Sequence, residues 1–158
     1  MDWDALTAAV AAHEMVLAAA ADEPVDLPDP GRAPGSGPPA VPPPLVEALL
    51  DAYESGDAAA RERARSLLRE HDRFRWAVHL PPDWGTPEEL RRRFVLLSLR
   101  DQGADTRDEL LHLNDLCARA RALGLDPGPG LREAAALSSD TDHYGMGSMR
   151  DLLLRSAA

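Results

Sequence analysis

Thr86-Pro87-Glu88-Glu89-Leu90-Arg91-Arg92-Arg93-Phe94-Val95-Leu96-Leu97 opens with four residues that start a helix. Threonine suits the N-cap, proline the first turn, and Glu89 stands three residues on, where its carboxylate closes a capping box. Leu90, Phe94 and Leu97 then recur at helical spacing, and the run ends near Gly103. The same punctuation repeats on both sides. Upstream, Pro44 begins a helix carrying Leu45, Val46, Leu49, Leu50 and Tyr53 that stops at Ser55-Gly56. Asp57 caps a second, in which Ala60, Ala64, Leu67, Leu68, His71, Phe74 and Val78 keep the helical period until Pro81-Pro82. Downstream, Thr106 and Glu109 repeat the capping box ahead of Leu110, Leu113, Cys117 and Ala120, with Gly124 as a left-handed C-cap. Asp126-Pro127 starts a short helix through Leu137, and Ser148 with Asp151 starts a last one. No run alternates with period two. The expectation is an all-α fold, a compact bundle or paired-helix array of short antiparallel helices.

Proline sets the domain boundaries. Nine of the 14 prolines fall between Pro24 and Pro44, mixed with Gly31, Gly35, Ser36 and Gly37. Proline removes backbone donors, so neither a helix nor a central strand is expected through that stretch. The chain is therefore expected to divide into an N-terminal helix (1–23), a Pro/Gly-rich linker (24–44) and a helical domain (45–158). In the first segment Leu6, Val10, His13 and Leu17 form one helical stripe, with alanines filling the neighbouring positions. So narrow a stripe buries little area, and the helix needs a surface to pack on.

Composition excludes several classes. Formal net charge is -10, which argues against a general nucleic-acid binder, since phosphate contacts need clustered cations. All 17 basic residues are arginine, which reads as coding bias. One cysteine excludes a disulfide scaffold or a zinc cluster within one chain. Charged residues interrupt every long apolar run, so no membrane span is expected. The start, Met1-Asp2-Trp3-Asp4, is acidic where a secretory signal is positive, giving a cytoplasmic expectation.

The most specific local pattern runs from Asp140 to Asp151. Counted as twelve residues, Asp140, Asp142, Ser148 and Asp151 occupy positions 1, 3, 9 and 12, with Gly145 at 6. Alternating oxygens at those positions wrap one hard cation, and the loop resembles an EF-hand calcium loop. It departs at Tyr144, which replaces an oxygen ligand, at Gly147 in the apolar position, and at Asp151, shorter than the usual glutamate. The competing reading is a helix connector in which Ser148 caps the next helix, and it is favoured.

Other clusters read more plainly. His71-Asp72 is similar to one element of the metal site in HD-type phosphohydrolases, but His71 shares a face with Leu67, Leu68 and Phe74 and reads as a satisfied interior or boundary histidine. Asp108, His112 and Asp115, followed by Arg119, line one helical face and read as solvated charge pairing. Cys117 lies on an apolar stripe and reads as core, without the base a nucleophile needs. Arg91-Arg92-Arg93 fan too widely round a helix for one flat contact row and read as a solvated face. Trp76, Trp84 and Phe94 gather at the Pro81-Pro82 break and read as a packed corner.

Two functions are expected from this pattern. The first is a non-catalytic interaction or adaptor protein whose N-terminal helix docks through Leu6, Val10, His13 and Leu17 on a protein partner or a second copy, with fold-back on its own domain as the intramolecular alternative. The second is a divalent-cation-dependent sensor or enzyme, with calcium as the cofactor at Asp140, Asp142, Ser148 and Asp151, or with the cation at a carboxylate/His cluster. The first needs no cofactor.

Overall fold

A computed structural model describes residues 2–22, 39–101, 106–141, 145 and 147–158. They form eight helices: α1 (Trp3–Asp22), α2 (Pro43–Ser55), α3 (Ala58–Glu70), α4 (Asp72–Ala77), α5 (Pro87–Arg100), α6 (Thr106–Ala122), α7 (Gly128–Leu137) and α8 (Met149–Ala157). No strand occurs among the described residues, and the fold is all-α with an N-terminal helix set apart in sequence. Most of the expected linker lies outside the described residues. At its end, Val41 is buried and α2 begins at Pro43, so the last prolines belong to a helical start.

Helix α5 is the centre. Its capping box forms as expected: Thr86 Oγ1 accepts from the Glu89 amide, and the Glu89 carboxylate accepts from the Thr86 and Gly85 amides. From Phe94 to Arg100 every residue is buried, so this helix is covered on all sides. Helix α7 lies closest against it. Gly130 permits that approach, because a Cβ there would stand 3.2 Å from the Phe94 ring. Leu131, Ala134 and Ala135 extend the contact, and α8 covers α7 with Met149, Leu152 and Leu153. Helix α3 adds Ala64, Leu67 and Leu68; α6 adds Leu113, Leu116, Cys117 and Ala120. Burial pushes the Cys117 thiol pKa up, as its place on the apolar stripe implies.

Helix ends follow local chemistry. Helix α6 closes in a Schellman motif, with Leu125 N donating to Ala120 O at 2.8 Å and Gly124 N to Arg121 O at 3.0 Å. Gly124 holds φ +76°, a conformation that costs glycine nothing. One expected helix is instead two. The run from Asp57 breaks at His71, whose Nδ1 lies 2.9 Å from the Leu67 carbonyl while its amide turns to Leu68 O. That side chain competes with the backbone for the carbonyl that would continue the helix. His71 thus sits half-buried at a corner, as a boundary histidine does.

A polar network is sealed among α2, α3, α5 and α7. Tyr53 Oη donates to Leu137 O at 2.8 Å and contacts Ser98 Oγ, which lies 2.7 Å from Ser138 Oγ. Arg65 Nη1 donates to Tyr53 Oη at 3.2 Å and to Leu137 O at 3.1 Å. Burial raises the Tyr53 pKa, keeping the phenol neutral. Satisfied buried groups of this kind stabilise little, but leaving one unpaired costs much more. Tyr53→Phe should therefore lower unfolding free energy by about 1–3 kcal/mol while the helical circular dichroism stays unchanged. A denaturant midpoint equal to wild type would show that the network carries no stability.

Candidate interaction surface

Helix α1 has two faces with different fates. Leu6, Val10 and Leu17 are buried against α2 and α4. His13, the fourth residue of that stripe, is half-buried and meets the Phe74 ring edge-on, with centroids 6.0 Å apart. Glu14 turns the same way, and its carboxylate accepts from the Arg73 and Phe74 amides at the start of α4. Two free amides at a helix start favour a carboxylate. At the other end, the Arg63 guanidinium lies 4.8 Å over the Trp3 ring. The stripe expected to meet a partner is thus packed on its own domain, the intramolecular alternative to outside docking.

The opposite face is open. Ala5, Ala8, Ala9, Ala12, Met15, Val16 and Ala19 are exposed, Met15 at 73% and Val16 at 47%. Between Ala5 and Ala21 the helix carries one formal charge, Glu14, and that is turned toward α4. Beside this face runs a groove of about 660 Å³, formed with Pro42, Pro44, Leu45 and Ala48 at the start of α2. No charged side chain interrupts this exposed face. Over Trp3–Ala21 the mean hydropathy is 1.3, so by length and composition α1 is long and apolar enough to cross a membrane. The expectation that no segment qualifies rested on its charges, and it does not hold on composition.

The Asp140–Asp151 segment shows capping chemistry. Ser148 Oγ accepts from the Asp151 amide at 3.1 Å, and the Asp151 carboxylate faces the Ser148 amide at 3.5 Å, so the two form a capping box for α8. Asp140 pairs with Arg150, whose other guanidinium nitrogens donate to Ala135 O and Ser138 O. Gly145 and Gly147 adopt φ of +75° and +92°. Asp142 and Tyr144 lie outside the described residues. Among the described residues no group of three His, Cys, Asp or Glu side chains stands ready for a metal.

The arginine-rich start of α5 is not a solvated face. Arg91 pairs with Glu54 and Glu88, and Arg92 with Glu47 at 2.6 Å, tying α5 to α2. Arg93 donates to Pro81 O and Asp83 O and lies 5.7 Å from the Trp84 ring. Arg119 reaches the same ring from the other helix, 4.9 Å from its centroid, and donates to Pro82 O and Trp84 O. Instead of pairing with Asp115, as expected, Arg119 pins the loop before α5. The Asp108 side chain lies outside the described ones. Trp84 and Phe94 are core; Trp76 is 36% exposed and faces Arg100. Arg100 and Glu109, both buried and 3.2 Å apart, were missed, because Glu109 reads from sequence as half of a capping box.

Comparison with protein-family models, curated proteins and solved structures finds no match.

Two substitutions separate the connector from a cation site. As a lost N-cap, Ser148→Ala should cost about 0.5–2 kcal/mol in thermal or denaturant unfolding. Asp140→Asn removes an exposed ion pair and should cost less than about 1 kcal/mol. Calcium should leave the melting temperature of both proteins unmoved; a calcium-dependent rise in wild type that Asp140→Asn abolishes would restore the cation reading.

Proposed function

We propose that this protein is a non-catalytic interaction module that associates with a second copy of itself through the outward face of α1 and the adjoining α2 groove. One observation carries the reading: a continuous exposed apolar helix face without formal charge, on a chain of net charge -10. Two copies of so acidic a protein repel over most of their surface. They approach freely where neither presents a carboxylate, and from Ala5 to Ala19 the open face of α1 is such a place. Alanine at five of its seven open positions lets two helix backbones come close. An isologous pairing whose two-fold axis runs perpendicular to the helices sets them antiparallel, and their dipoles then oppose favourably. The face is narrow, which places the contact among weak and concentration-dependent associations.

Sedimentation equilibrium of the full chain tests this. Wild type should shift from monomer toward dimer over the micromolar to millimolar range, and Ala12→Glu should remain monomeric across it. Ala12 is exposed, so the variant should unfold within about 0.5 kcal/mol of wild type. A wild-type protein that is monomeric throughout would overturn the proposal. If that monomer instead floats with lipid vesicles, the face belongs to a membrane.

A further inference from the structure

The cleft between α5, α6 and the Pro81–Trp84 loop has the opposite character to the rest of the chain. It encloses about 240 Å³, and its walls combine Leu80, Leu96 and Leu116 with three guanidiniums, those of Arg93, Arg100 and Arg119. Asp115 is the carboxylate among its lining residues, so with neutral histidines the lining carries +2; Glu109, paired with Arg100 behind the wall, reduces the local sum to +1. A protein of net charge -10 thus gathers three guanidiniums around one cleft.

The donors are not exhausted. A guanidinium offers five N–H groups. Arg119, on the cleft wall, directs one bond to Pro82 O and one to Trp84 O, fewer than its five N–H groups can make. The Arg100 side chain is only 6% exposed, and its Nε has no hydrogen-bond partner among the described residues. Mutual crowding is visible too: burial and then the neighbouring Arg119 hold the Arg93 pKa below the usual guanidinium value, as burial does for Arg100. Like charges held this close together cost free energy, and an anion among them offsets that cost.

We infer that this cleft binds a small organic anion, a carboxylate or phosphate on a compact apolar body, with the headgroup at Arg119, Arg93 and His112 and the body against Leu80, Leu96 and Trp84. The volume lies below the range of drug-sized ligands and suits one ring or a short branched chain. The histidines supply a second signature. His79 faces Arg100, His112 and the Trp76 backbone; His112 faces Arg93 and Arg100 from α5 and Asp115 on its own helix. Burial, and after it Arg100, holds both imidazoles below their ordinary pKa. A bound anion offsets the arginine's repulsion and raises both values. Binding then takes up protons, so affinity tightens as pH falls toward the histidine range.

The full chain is titrated calorimetrically with benzoate, phenylphosphate and benzyl alcohol, which share a ring and differ in charge. At least one of the two anions should bind one-to-one, about tenfold or more tightly than the neutral alcohol, and more tightly at pH 6 than at pH 8. Which anion wins identifies the headgroup. The His112 side chain is part-covered by the cleft but still reaches solvent, so His112→Glu should weaken that anion about tenfold with an unchanged melting temperature. Absence of binding by both anions at millimolar concentration would overturn the inference and leave the arginines as loop anchors only. Equal affinity for the alcohol, or an unaltered affinity in His112→Glu, would do the same.

Discussion

A helix with no solvent-facing side over half its length imposes the main constraint here. Seven consecutive residues of α5, Phe94 to Arg100, are buried, and two of them are polar. Each polar side chain needs a partner in a region without water. Ser98 finds Tyr53 and Ser138, while Arg100 finds Glu109 and stands over Trp76. Those partners come from α2, α6, α4 and the C-cap of α7. Satisfying one helix thus fixes which face of four others turns inward, and the apolar side chains beside them fill the space. The short connectors and repeated caps then set the ends rather than the arrangement.

The break at His71 has its effect at the periphery. Turning the chain there makes α4 a separate short helix, which presents Phe74 to His13 and two free amides to Glu14. Those contacts, with Arg63 over Trp3, seat one edge of α1. They also fix which edge remains open, because the carboxylate that would otherwise interrupt the apolar face is drawn toward α4. The outward surface is a consequence of how the inward one is held.

The sequence revealed most where the physics is local. The capping boxes at Thr86/Glu89 and Ser148/Asp151 involve four residues each, and both form. The apolar period of α2 marks its buried residues, whereas burial in α5 runs past its period, from Phe94 through Arg100. Pattern failed where a side chain had a choice of partners. Glu109 fits a capping box, yet its carboxylate pairs with Arg100, a contact that depends on α5 and α6 lying side by side. Arg93 and Arg119 read as surface charge, yet they clasp the Trp84 loop from two helices. The anion cleft was illegible for the same reason, since its arginines stand well apart in sequence on two helices. The α1 stripe was legible as apolar, whereas whether it faced its own domain or another molecule depended on the position of α4.

Residue-level amide hydrogen exchange of the full chain tests the hierarchy most directly. If α5 is the hub, the amides of Val95 to Leu99 exchange only through global unfolding and report the full unfolding free energy. The amides of α1, seated along one edge, open at a clearly lower free energy while α5 stays protected. Exchange of α5 ahead of α1, or loss of both in a single step at the lower energy, would contradict the account.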